Sequence, residues 1–61
     1  MKSDLVDLPC EKRHETAESF LIYDGTVSRW VPKSLVELAP GDKGGYIATM
    51  PEWLAKQKDL I

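Results

Sequence analysis

The chain has 61 residues, 43% of them apolar, with ten acidic and eight basic side chains and a formal net charge of -2. Its single cysteine, Cys10, excludes an intrachain disulfide, no run approaches the ~20 apolar residues that cross a bilayer, and the mild acidity speaks against a polyanion as partner. A domain this short buries only roughly 60% of its unfolded surface, so close packing or self-association must supply what disulfides or metals supply elsewhere.

In chain order, residues 1–16 combine many charges, weak periodicity and Pro9. They read as an acidic, partly irregular arm, with Leu5, Val6 and Leu8 forming a short strand or anchor. The opening Met-Lys-Ser-Asp lacks the apolar run of a signal peptide, and an unpaired thiol suits a reducing compartment, so the cytoplasm is the expected location.

Residues 17–50 are predicted to form a sheet. Ala17 to Tyr23 is rich in β-favouring side chains, and Asp24-Gly25 is a strong hairpin signal because glycine tolerates a positive φ. Thr26 to Val31 returns as the second strand. With a two-residue loop, Tyr23 would face Thr26, Leu21 would face Ser28 and Phe20 would face Arg29. One face then carries Phe20, Ile22, Val27 and Val31; the other carries Leu21, Tyr23 and Trp30. Two partly apolar faces imply a strongly curved sheet, or one covered on its second side. Trp30, in mid-strand, reads as a core residue. Pro32 interrupts pairing, Ser34 to Leu38 reads as a third strand with a helical turn as the alternative, residues 40–45 read as a loop, and Tyr46 to Thr49 as a fourth short strand.

Residues 51–61 are predicted to form a helix reaching about Asp59, with Pro51 at its first position and Glu52 at the positive end of its dipole. Trp53, Leu54, Gln57, Leu60 and Ile61 make its apolar stripe, which puts Trp53 against the sheet. The fold class is therefore α+β: one domain over residues 1–61, a small curved antiparallel sheet of three to four strands with one C-terminal helix.

The residue patterns that carry chemistry are incomplete. Cys10 and His14 could begin a metal site, but four ligands in paired spacings are required. His14-Glu15 opens like a zinc-protease motif, yet Glu18 stands where the second histidine is needed. A Cys10–His14 nucleophile and base would need a third group and a dry pocket. Gly41, Gly44 and Gly45 lack the strand-to-helix setting of a phosphate loop. No catalytic residue, cofactor or metal is expected. One basic-aromatic cluster, Arg29-Trp30 with Lys33, is of the kind that could meet nucleic acid, with Lys43 as a further contact; Lys12-Arg13-His14 is equally brief and flanked by Glu11 and Glu15.

Trp30-Val31-Pro32-Lys33-Ser34 and Met50-Pro51-Glu52-Trp53-Leu54-Ala55 resemble the motifs of small uncharacterised proteins encoded by phages and mobile elements, over about residues 17–61. The resemblance implies a small phage or mobile-element protein that binds a host macromolecule, which puts the expected cytoplasm in the host cell. By analogy with anti-CRISPR proteins, it implies an inhibitor that sets an acidic surface into the basic groove of a host complex such as a CRISPR effector. Residues 1–25 hold six acids against three bases, a balance of -3, and residues 26–61 hold four against five, a balance of +1. The expected partner-binding residues are accordingly Asp4, Asp7, Glu11, Glu15 and Glu18. A small nucleic-acid binder and an accessory homodimer that buries the second face of the hairpin are the other two readings.

Overall fold

The computed structural model describes residues 4–61. Its strands are β1 (Leu5–Glu15), β2 (Ser19–Tyr23), β3 (Ser28–Pro32), β4 (Glu37–Pro40) and β5 (Tyr46–Pro51), followed by helix α1 (Glu52–Gln57). They form one antiparallel sheet in the order β3-β2-β1-β5-β4. The sheet has five strands, because the short strand or anchor expected at Leu5, Val6 and Leu8 continues through the stretch read as irregular and makes residues 5–15 the long central strand. Residues Leu5 to Cys10 pair with β5, and Glu11 to Glu15 pair with β2.

Three small inward residues explain why this strand forms despite its charges. Val6, Leu8 and Cys10 alternate toward the core while charged neighbours point to water. Pro9 is tolerated for a reason that lies in the ladder. The Glu52 N–H donates to the Asp4 carbonyl at 2.8 Å, so even-numbered residues of this half of β1 bond to β5. Pro9 therefore falls where an N–H would point away from β5, on a stretch that β2 does not reach.

The β2–β3 hairpin turns one residue later than expected. Tyr23 faces Ser28, not Thr26, and Leu21 faces Trp30. The Asp24 carboxylate causes the shift: its Oδ1 accepts the Thr26 and Val27 N–H groups at 2.8 and 2.9 Å, while the Asp24 N–H donates to the Val27 carbonyl. Gly25 takes the positive φ of 103°. A shift of two in register preserves which residues share a face, so Phe20, Ile22 and Val31 face the core together. Beyond β3, the predicted strand at Ser34 to Leu38 is displaced. The Leu35 N–H donates to the Pro32 carbonyl in a turn, and pairing resumes only at Glu37. Pro40, expected in the loop, is the last residue of β4.

The helix is shorter than predicted and rotated. Pro51 precedes it as the capping residue and Gln57 ends it. Leu54 and Ala55 face the core, and Leu60 returns to it after Asp59 adopts a φ of 59°. Trp53, expected to be buried, is 57% exposed. Neighbouring helical residues are about 100° apart, so Trp53 lies about 150° from the buried direction between Leu54 and Ala55. Met50 and Ala48 on β5 are fully buried instead.

Candidate functional site

A β-bulge in β1 sets the surface chemistry of the domain. Lys12 pairs with Ile22 and His14 with Leu21, so Arg13 is an extra residue with no partner on β2. Up to Lys12 the even-numbered residues face inward. The extra residue reverses that phase, and Glu15 faces inward beside Phe20 while Arg13 and His14 both face outward.

The outward pair meets the aromatic side of the hairpin. Arg13 stacks on the Tyr23 ring, its guanidinium carbon 4.4 Å from the ring centroid. His14 meets Trp30 edge to face with centroids 5.9 Å apart. Leu21 stands in register between His14 and Trp30. Trp30, expected in the core, is 43% exposed. The face thus presents three rings, a leucine and a guanidinium in a row across β1, β2 and β3.

The free edge of β3 beside this face is closed to strand pairing. Asp24 and Val27 share a backbone bond, as do Lys33 and Glu18, so Arg29 and Val31 bond to β2 while Ser28, Trp30 and Pro32 point outward. Arg29 Nη1 donates to the Ser28 carbonyl, and Pro32 has no N–H to offer. Only Trp30 keeps both edge groups open.

The inward end of the bulge is a charge network. Glu15 accepts hydrogen bonds from Lys33 and from Lys12, the latter at 3.0 Å. Lys12 lies 5.5 Å from the Tyr46 centroid and Lys33 lies 5.1 Å from that of Phe20. The Lys33 hydrogen bond, reinforced by Lys12, holds the Glu15 carboxyl below its ordinary range. The same partnership raises Lys12. Burial pushes the Cys10 thiol up.

The five acidic residues expected to bind a partner do not form one surface. Asp4 and Asp7 lie at the start of β1, with Asp7 accepting the Thr49 hydroxyl at 2.6 Å. Glu11 faces outward beside Arg13, 3.7 Å away. Glu15, itself exposed, is paired with its two lysines on the inner side, and Glu18 is exposed in the β1–β2 turn. The Arg29-Trp30-Lys33 cluster is also dispersed. Arg29 Nε donates to the Lys58 carbonyl at 2.9 Å, Trp30 faces outward, and Lys33 covers Phe20 on the inner side. Cys10 is buried inward while His14 faces outward, so the sheet separates them. Among the described residues no group of three or more His, Cys, Asp and Glu is placed to hold a metal ion. None of their helices is long and apolar enough to cross a membrane.

An open cleft of about 770 Å³ lies between the Asp24-Gly25 turn and residues 41–45. Lys12 and Lys43 share its walls with Glu11, Asp24 and Asp42, so its charges largely cancel. No family model, curated protein or solved structure matches the chain.

Sequence reasoning placed Leu21, Tyr23 and Trp30 on one face but missed Arg13 and His14 beside them. The signal was the break in alternation after Cys10, where three consecutive basic residues follow an inward-facing series. Their common face depends on a bulge that no residue type announces.

Proposed function

We propose that this chain is a non-enzymatic binding protein that docks on another protein through the outward face of β1, β2 and β3. The observation that carries the reading is the bulge at Arg13, which brings Arg13 and His14 to the same face as Tyr23 and Trp30. Bulges recur where a side chain has been re-aimed for function. Tryptophan, tyrosine and arginine are also the residues in which binding energy concentrates at protein interfaces. A half-exposed tryptophan flanked by a leucine and two further rings is the apolar centre such an interface needs, and Arg13 and Glu11 supply part of its polar rim.

Inhibition of a host complex is supported by the resemblance of the Trp30 and Trp53 motifs alone, and a CRISPR effector as its target by analogy alone. A small cytoplasmic domain would exert it by steric occupation of the complex. Occupation of a basic groove would call for an acidic surface. The dispersal of Asp4, Asp7, Glu11, Glu15 and Glu18 favours the aromatic face instead.

Position-specific photo-crosslinking in cells that express the protein tests the docking role. A photoreactive side chain at position 30 is expected to form a discrete adduct with a protein, and one at exposed position 53 is not. Adducts from position 53 with none from position 30 would reject the outward face.

A further inference from the structure

We infer that the segment docked on this face is an acidic stretch of a protein, laid over Trp30 with a carboxylate set against Arg13. This rests on the docking role proposed above and adds the chemistry of the partner. Among the cations described, Arg13 is the one on the aromatic face whose donors are unspent. Lys12 and Lys33 are both bonded to Glu15 on the other side of the sheet. Arg29 uses Nε on the Lys58 carbonyl and Nη1 on the Ser28 carbonyl. Arg13 makes no hydrogen bond within the described residues, and its ion pair with Glu11, at 3.7 Å, is too long for one. The Tyr23 ring holds the guanidinium in place at 4.4 Å. A planar fork held on a ring, with a carboxylate 3.7 Å from Nη2 and none of its N–H groups yet hydrogen-bonded among the described residues, can take an incoming carboxylate through two parallel hydrogen bonds.

The surroundings of Arg13 select the source of that carboxylate. A nucleic-acid backbone needs a track of cations along it. Here Glu11 stands on the same face, and Lys12 and Lys33 are on the other. One arginine beside a leucine, a histidine and a tryptophan matches alternating carboxylate and apolar side chains, which a protein segment provides. The free edge of β3 is obstructed at Ser28 and Pro32, so the segment crosses the face and does not extend the sheet.

The test is an amide and indole NMR titration of the full chain with three probes: a blocked peptide of alternating Glu and Leu pairs, the same peptide with Gln for Glu, and a thymidine oligonucleotide of equal length. The Glu peptide is expected to shift Arg13, His14, Leu21 and the Trp30 indole, leave the Trp53 indole unmoved, and bind about fivefold more tightly than the Gln peptide. Arg13→Gln is expected to erase that preference while the rest of the spectrum stays that of the folded protein. Equal binding of the two peptides at this face, or an unchanged preference in Arg13→Gln, overturns the acidic partner and leaves the docking face standing. Tighter binding by the oligonucleotide replaces the protein partner with nucleic acid. Absence of shifts at this face with every probe overturns the inference, while the docking role stands or falls with the crosslinking at position 30.

Discussion

The imidazole of His14 meets the indole of Trp30 edge to face, their planes at 85°, although the two residues lie on strands separated by β2. The contact spans Leu21, which is in register with both. Edge-to-face aromatic pairs contribute about 0.5–1.5 kcal/mol beyond the area they bury. Partial exposure places this one at the lower end. A double-mutant cycle of His14→Ala and Trp30→Ala, read by denaturant unfolding, should give a coupling of about 0.5 kcal/mol. Strict additivity would mean that the rings do not pack on each other.

Trp53 and Met50 should behave oppositely to what their sizes suggest. Met50 is completely buried and Trp53 is mostly in water. Met50→Ala should cost about 2–5 kcal/mol, comparable to the whole stability of so small a core, and leave the domain largely unfolded. Trp53→Ala, a surface change, should cost within about 0.5 kcal/mol. Thermal melts of the two purified variants decide this, and a collapse of Trp53→Ala would return the tryptophan to the core.

Acid should weaken the fold through Glu15 and Asp24. Both carboxyls are held below their ordinary values, Glu15 by Lys33 and then Lys12, Asp24 by the Val27 and Thr26 N–H groups. A carboxyl depressed by folding stabilises the protein above its unfolded-state pKa, and that contribution is lost as pH falls through the folded value. Stability measured from neutral pH downward should therefore fall across and below the usual carboxylate range. Glu15→Gln and Asp24→Asn should each flatten that decline. An unaltered acid limb in both variants would show that neither contact persists in solution.

The hairpin faces were legible because alternation survives a two-residue error in register. Phe20, Ile22 and Val31 turn inward whether the turn centres on Asp24-Gly25 or on Gly25-Thr26. Tyr46 to Thr49 and the start of the helix were legible for a similar reason, since β-favouring runs and a proline before a helix are local signals. Strand β1 was not. Its inward series is only Val6, Leu8 and Cys10, broken by Pro9, and its pairing partners come from both ends of the chain. Trp53 was misplaced because hydrophobicity names a stripe but not its centre, which the small residue Ala55 helps to set. The acidic balance of residues 1–25 was real as a count. It dissolved as a surface because Glu11 and Glu15 found basic neighbours on opposite sides of one strand.

The contest between the aromatic face and the acidic residues is decided most directly by binding to the protein crosslinked through position 30. Affinities of two folded variants are compared with wild type: Trp30→Ala, and a chain with Asp4, Asp7, Glu15 and Glu18 neutralised to Asn or Gln. Trp30→Ala should weaken binding at least about tenfold, as truncation of a central tryptophan anchor does. The neutralised chain should bind within about threefold of wild type, because none of the four carboxylates contacts the aromatic row and charges outside the centre of an interface alter association rate and salt dependence more than affinity. Undiminished binding by Trp30→Ala, together with loss in the neutralised chain, would contradict the account and return the interface to the acidic residues.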